Sequence, residues 1–489
     1  MKGDDLLEGR FLWHGPRLWV ASTLAGGLAG WGLTHVLIPQ YADGVPKIPL
    51  VLVAPFALLL LSIATFPLIQ PRAWHRHFPD VAFFLGALVA GYYIAGYTQG
   101  APGHAGGMSY GAEKVVHAGL EYYAFIALVG GLYVVSGGVL IEVKGRAGPL
   151  YNCLIMLVGA VLANVVGTTG ASMLLIRPFM RANQGRLHFL HVVMFIFIVS
   201  NCGGCLTPIG DPPLYLGYIK GVPFLWTLTH LWRDWAFTVG VLLAIFYALD
   251  TVIESRVTAQ RRSAGKPDLP EAAWFPRVSI RGGAGLLCLA LMIGGVFLDP
   301  LLARFFHGLP HLPYGATFQI AIAAIAYARA PREILERNDF SFFPVKEVGL
   351  LFIGIFLTMI PALGYLAANG AKLGLDSPTA FYFGTGTLSA VLDNAPTYLN
   401  FLQVAVPGEL NRESVEAMLA AADGHILAAI STGAVFFGAM TYIGNGPNFM
   451  VRTIAESAEV KMPSFFGFAM WAVVLLLPVL VAQWWLFVR

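Results

Sequence analysis

Charge is scarce in this chain. Of its 489 residues, 12% are Asp, Glu, Lys or Arg and 57% are hydrophobic, whereas soluble domains carry about 25% charged residues. The shortage excludes an ordinary soluble protein of two or three domains and leaves the bilayer as solvent. Neither sign dominates, and a net charge of +3 is too small to suggest a nucleic-acid partner. Cysteine is scarce too. Cys153, Cys202, Cys205 and Cys288 all lie in or beside apolar runs, which excludes a disulfide framework. Cys202-Gly-Gly-Cys205 has CxxC spacing, but no second pair or nearby His completes a metal or redox site. Small residues at a tight helix crossing explain it better. The first residues mix Lys2 and Arg10 with Asp4, Asp5 and Glu8 and show no signal-peptide pattern.

Long apolar runs are plentiful. Eleven lie at roughly 18–38, 49–70, 80–98, 119–141, 188–219, 234–254, 284–306, 313–330, 346–370, 424–450 and 464–487. Stretches 150–180 and 378–405 are apolar but interrupted, at Asn164-Val-Val-Gly-Thr-Thr169 and at Asp393-Asn-Ala-Pro-Thr397. Each suits two half-helices that enter and leave on one side, a backbone tolerated at membrane depth only when buried in protein or lining a cavity. The expected fold is an all-α integral membrane protein of about eleven transmembrane helices plus two re-entrant hairpins. Its expected parts are a cytoplasmic segment and first helix (1–48), a first repeat (49–254), a basic linker (255–283) and a second repeat (284–489).

The positive-inside rule orients these parts. Segment 255–282 carries Arg256, Arg261, Arg262, Lys266, Arg277 and Arg281 and is expected in the cytoplasm. Counting along the chain with both interruptions as hairpins puts Arg72 and Arg76, Lys144 and Arg146, Arg181 and Arg186, and Arg329, Arg332 and Arg337 on that side. The N-terminus falls there as well. The acidic loop with Glu409, Glu413, Glu416 and Asp423 falls outside. The two hairpins then open to opposite faces.

The halves also share words. Ala160-Val-Leu-Ala-Asn164 matches Ala390-Val-Leu-Asp-Asn394 at four of five positions, pairing 164 with 394. Thr207-Pro-Ile-Gly-Asp-Pro-Pro213 matches Thr441-Tyr-Ile-Gly-Asn-Gly-Pro447 at four of seven, pairing 207 with 441. Inverted repeats with paired broken helices point to a binding site at the bilayer midplane.

Four loops should therefore meet, at 164–169, 207–213, 393–397 and 441–447. They bring Asn164, Thr168, Thr169, Asn201, Thr207, Gly210, Asp211, Asp393, Asn394, Thr397, Thr441, Gly444 and Asn445, a set of hard oxygen donors and small amides. Such a set suits Na⁺ or a hydrogen-bonded oxyanion and is poor for soft metals. Asp211 and Asp393 are carboxylates at membrane depth, functional-site candidates by default, although Asp also caps helices. With Asn164 and Asn394 they are the Na⁺ candidates. Gly210, Pro212, Pro213, Gly444, Gly446 and Pro447 read as the helix breakers. His188 and His191, beside a basic loop, read as interfacial. Glu121 and Glu347 start two corresponding spans. Trp471, Trp484 and Trp485 read as interfacial anchors.

Ser389-Ala-Val-Leu-Asp-Asn394 and Thr207-Pro-Ile-Gly-Asp211 resemble motifs of the ion transporter superfamily, most closely the D-type Na⁺/H⁺ antiporters and the citrate transporters grouped near them. The resemblance runs from about residue 49 to 487. It implies a scaffold and a mobile transport domain, elevator-like alternating access, homodimers, and a bacterial inner (plasma) membrane. Thr168, Thr169, Asn394 and Thr397 would match the Na⁺- and carboxylate-binding tips of related dicarboxylate carriers. The antiporters also carry Asp in the first hairpin, in a Leu-Asp-Asn word, where this chain has Leu162-Ala163-Asn164. That departure favours anion symport. The expected function is ion-coupled secondary transport: Na⁺/H⁺ antiport first, then Na⁺- or H⁺-coupled citrate or dicarboxylate transport. No cofactor is expected beyond Na⁺ or H⁺ as coupling ion, and no partner beyond lipid, a small ion or carboxylate substrate and a second copy. A distant alternative is an intramembrane aspartyl enzyme using Asp211 and Asp393. Pro212 directly after Asp211 and the repeat itself argue against it.

Overall fold

The computed structural model describes residues 15–42, 45–100, 108–267, 272, 277–306, 312–406, 408–422 and 424–489. The N-terminal segment before residue 15 and Asp423 lie outside them. The chain is an all-α membrane protein. Among the described residues seven helices are long and apolar enough to cross a membrane, or up to ten if each bent pair is one span. The expected eleven exceeds this because several apolar runs fold into short or interrupted helices, such as Tyr314–Arg329. Two short antiparallel strand pairs, Gln40–Ala42 with Val45–Lys47 and Leu140–Lys144 with Arg277–Arg281, are the described β-structure.

The residues divide into two compact units, one of residues 1–123 with 346–369 and the other of 124–345 with 370–489. In the first, helix Pro16–Leu33 crosses helix Pro71–Gly96 through glycine. A Cβ on Gly30 would fall 2.0 Å from the Leu88 carbonyl oxygen, and one on Gly91 would fall 2.5 Å from that of Gly27. Small residues let apolar helices approach where no hydrophobic effect drives them together.

The second unit holds both interrupted stretches. The first runs helical from Pro149 to Ala182 but breaks at Gly167, whose φ of 78° and ψ of 155° are open essentially to glycine alone. A straight helix of that length would span roughly 50 Å. Instead the Ala147 amide donates to the Ala182 carbonyl at 2.8 Å, and the Asn152 and Asn183 side-chain amides bond each other at 2.8 and 2.9 Å. The stretch is a hairpin with its tip at Gly167. The second hairpin has arms Pro378–Val391 and Asn394–Ala405, started by Ser377 and Asp393 as N-caps; Phe381 of one arm packs on Phe401 of the other.

Two broken spans complete the core. Phe189–Ile198 leads through a tight turn at Cys202–Leu206 to Pro212–Ile219, and His425–Phe437 leads through Gly438–Met440 to Gly446–Ser457. The four cysteines are free, and the CxxC turn is a crossing of small residues: a Cβ on Gly203 would fall 2.6 Å from Ala160 Cα.

The basic linker differs from expectation at both ends. Helix Trp226–Ser263 runs well into it, and its far end pairs with Leu140–Lys144. Glu142 pairs with Arg337, and Arg281 with Glu333. Three loops given one side by their charge are thus stitched together by strand pairing and ion pairs. The acidic loop touches a different group, since Gly221 abuts Arg412 and Gly424 abuts Trp226.

A second correction concerns the histidines. His191 is fully buried and bonds Asp250 at 2.9 Å, while Arg186, also buried, bonds the other Asp250 oxygen at 2.7 Å. Asn152 donates to the same carboxylate, and Arg186 and Arg146 both reach Glu254. This network fastens the base of the first hairpin to the long helix. His188 is half-buried and caps Phe189–Ile198. Arg186→Ala should leave Asp250 buried and short of a cation, a loss of about 3–5 kcal/mol; thermal melts of the purified protein would register it as a large drop in midpoint. Trp485 is exposed as an anchor would be, but Trp484 donates inward to Thr379.

Candidate functional site

Each broken span must start its second half-helix inside the protein, and the residues at those starts are Asp211 and Asn445. Both have extended backbone, at φ −144° and −152°, and neither side chain caps its own helix. They turn toward each other. Asn445 Nδ2 donates to Asp211 Oδ1 at 2.9 Å, Thr168 Oγ1 donates to the same oxygen at 2.8 Å, and Asn394 Nδ2 donates to Oδ2 at 2.7 Å. The Asp211 carboxylate, 1% exposed, thus joins both hairpin tips and both breaks. Hydrogen bonds to a carboxylate are strong when it is ionised, and this one receives three.

Around this centre the two halves repeat one bonding pattern. Thr207 Oγ1 donates to the Asn164 carbonyl and accepts from the Gly210 amide; Thr441 Oγ1 donates to the Ala390 carbonyl and accepts from the Gly444 amide. The Thr168 amide donates to the Gly210 carbonyl, and the Asn394 amide to that of Gly444. Gly210 and Gly444 are needed because a Cβ would fall 2.1 and 2.6 Å from the Gly204 and Gly438 carbonyl oxygens. The breaks correspond as the shared words indicate, Thr207 with Thr441 and Gly210 with Gly444. The hairpin tips do not. They pair Asn164 with Ala390 and Thr168 with Asn394, whereas the shared word pairs Asn164 with Asn394. Thr168 is therefore the counterpart of Asn394, and Gly167 of Asp393. Ala163, taken from the sequence as facing Asp393, is instead buried in the first arm. The slip from Asn164 to Thr168 is four residues and crosses the break at Gly167, so the shared word lies in the first arm, before the tip.

The other candidates differ in their bonds. The Asp393 carboxylate caps its helix, accepting from the Ala395 amide at 3.0 Å, and Thr397 folds back onto the Asp393 carbonyl. Asn164 donates to the Ala160 and Gly203 carbonyls and accepts from the Leu206 amide. Asn201 bonds Asn445 and Asn448, and Asn448 holds the Gly438 and Thr441 carbonyls. Asn448 went unnoticed in the sequence although it directly follows the Thr441–Pro447 word. Thr169 lines a cavity of about 20 Å³ with Gly167, Thr168, Pro208, Gly210 and Asp211, room for one water or one small ion. Asn394 Oδ1 is buried without a partner. Among the described residues no cationic side chain pairs with Asp211, and no group of three or more His, Cys, Asp or Glu could hold a metal ion.

Residues 45–488 match a family described as "Putative citrate transport". The chain belongs to that family. The match covers both hairpins and both breaks, and the family is one of membrane transporters. No curated protein matches the sequence.

Proposed function

We propose that the protein is a cation-coupled carrier of citrate or a related carboxylate, with the coupling cation, Na⁺ or H⁺, seated at Asp211. The observation that carries this reading is the convergence of both hairpin tips and both broken spans on that one carboxylate. The unpartnered Asn394 Oδ1 adds a neutral oxygen beside it, and an ion-sized cavity adjoins it. A carboxylate substrate approaching Asp211 meets a like charge, worth about 4 kcal/mol at 4 Å and an effective dielectric of 20. A cation must neutralise Asp211 first, so coupling follows from charge and binding is ordered.

Na⁺/H⁺ antiport is the second reading, favoured by one observation: the site holds a carboxylate with no basic side chain bonded to it. Proteoliposomes separate the two. Symport is expected to show labelled citrate uptake that rises with an inward Na⁺ or H⁺ gradient. Antiport would show Na⁺-driven internal alkalinisation or acidification with no citrate requirement. Citrate uptake indifferent to both gradients would overturn the cation-coupled reading.

The inverted topology is part of the same proposal. In a cysteine-free background, Lys266→Cys and Glu413→Cys, both at exposed positions, are expected to react with an impermeant thiol reagent from opposite faces of oriented vesicles. Labelling of both from one face would remove the alternating-access arrangement of the two hairpins.

A further inference from the structure

The second unit contains another buried carboxylate that the site above does not use. Asp234 lies on the long helix Trp226–Ser263 and is 6% exposed. Its partner is Gln483, fully buried at the end of the last helix, whose Nε2 donates to Asp234 Oδ1 at 2.5 Å. Two oxygens beside this pair are buried and bonded to nothing. One is Gln483 Oε1, held next to the carboxylate by the amide's own geometry; the other is Thr238 Oγ1, one turn along from Asp234 and fully buried. Helical residues four apart share a face. Among the described residues no Lys, Arg or His pairs with Asp234.

The surroundings are built. Trp235, next to Asp234, donates to the Gly203 carbonyl, and Thr227 donates to that of Leu206, so the long helix is tied to the first break. On the other side, Tyr382 of the second hairpin donates to the Leu480 carbonyl, and Trp484 donates to Thr379. The chain is thus held to the second hairpin on either side of Gln483, at Leu480 and Trp484, and the backbone after it opens into a π-helical turn, Trp484–Val488, a form frequent at functional sites. Cys205 lies within electrostatic reach of both Asp234 and Asp211, so the first break separates the two carboxylates.

A buried carboxylate that accepts one amide hydrogen, with the bare oxygen of that same amide beside it and a second bare oxygen one helical turn along, lacks positive charge. Oxygen-only ligands of this kind suit a hard cation. We infer that Asp234, Gln483 and Thr238 form a second Na⁺ site, separate from Asp211, between the long helix and the last helix. Binding there ties the second hairpin's supporting helix to the first break. The inference does not depend on which anion is carried.

The test is equilibrium dialysis of the full-length protein in detergent with radioactive Na⁺, choline replacing Na⁺ as the balancing salt. With Na⁺ as the cation at Asp211, wild type is expected to bind two Na⁺ per chain and Asp234→Asn and Asp211→Asn one each; with H⁺ there, wild type is expected to bind one Na⁺ that is lost in Asp234→Asn and kept in Asp211→Asn. Gln483→Leu, which keeps the volume but removes the bare oxygen, should weaken the Asp234 site at least tenfold and leave citrate-independent binding at Asp211 intact. It also serves if Asp234→Asn fails to fold. Wild-type binding of a single Na⁺ that is lost in Asp211→Asn and kept in Asp234→Asn would overturn the second site while sparing the proposed function. So would an Asp234→Asn protein that loses a pH dependence seen in wild-type melting but keeps the wild-type Na⁺ stoichiometry, since Asp234 would then carry a proton.

Discussion

Asp211→Ala is expected to abolish coupled transport and to destabilise the protein by about 3 kcal/mol or more. The reason is the count of donors aimed at one side chain. Thr168, Asn394 and Asn445 all donate to Asp211; truncation leaves the Thr168 hydroxyl and the Asn394 amide buried and unpaired at about 1–3 kcal/mol apiece, while Asn445 keeps only its longer bonds to the Ser200 carbonyl and Asn201 Oδ1. Asp211→Asn separates charge from hydrogen bonding. It keeps one acceptor oxygen and removes the buried charge, which need not cost stability, but its new amide faces at least one donor. Turning the Asn394 amide over, so that its unpartnered Oδ1 accepts, would relieve that clash. Asp211→Asn should therefore melt within a few degrees of wild type while Na⁺- or H⁺-dependent citrate uptake falls at least a hundredfold. Uptake and ion dependence both unchanged in Asp211→Asn would show that the four segments meet there for structural reasons alone.

Asn445→Asp is expected to make stability depend steeply on cation concentration. Asn445 occupies in the second half the place Asp211 holds in the first, and the two side chains are in direct contact. A carboxylate at 445 would face Asp211, the Ser200 carbonyl at 3.3 Å and Asn201 Oδ1 at 3.2 Å. At about 4 Å and an effective dielectric of 20, the carboxylate pair alone repels by about 4 kcal/mol, and only a shared proton or a bound cation removes that. Melting temperature should rise with added Na⁺ and fall as pH is raised, each far more steeply than for wild type, and citrate uptake should fall because the site is more negative. A melting temperature equal to wild type in Na⁺-free buffer would mean the two positions do not meet. Reversing the pair, Asp211→Asn with Asn445→Asp, should recover part of the cation dependence lost in Asp211→Asn, because one carboxylate and one amide again face each other.

Much of this was legible in the residues. Helical class follows from apolar runs that need their backbone bonds satisfied internally. The breaks follow from Gly-Asp-Pro-Pro and Gly-Asn-Gly-Pro, because glycine and proline clustered together remove both the backbone restraint and the amide donors that continue a helix. The grouping of basic loops follows from lysine and arginine counts, and the stitching of Glu142, Arg281, Glu333 and Arg337 agrees with it. Hairpin register was not legible. The shared word sets Asn164 against Asn394, four residues away from the pairing of Thr168 with Asn394 that the Gly210 and Gly444 carbonyls fix.

The division of labour between Asp211 and Asp393 was equally hidden. Both are aspartates beside helix breaks, and sequence offers each the same two roles. Asp393 finds its partner two residues on, at Ala395, so local backbone geometry claims it as a cap. Asp211 precedes two prolines, neither of which has an amide hydrogen to offer, and its carboxylate turns to donors 43, 183 and 234 residues distant. Composition, helix breaks and loop charge are local properties, written in neighbouring residues and readable there. Which polar groups share one buried point depends on how four separated segments cross, and only the folded chain, where each unpaired donor in a water-free interior must find an acceptor, decided that Asp211, Asn445, Thr168 and Asn394 would be the four.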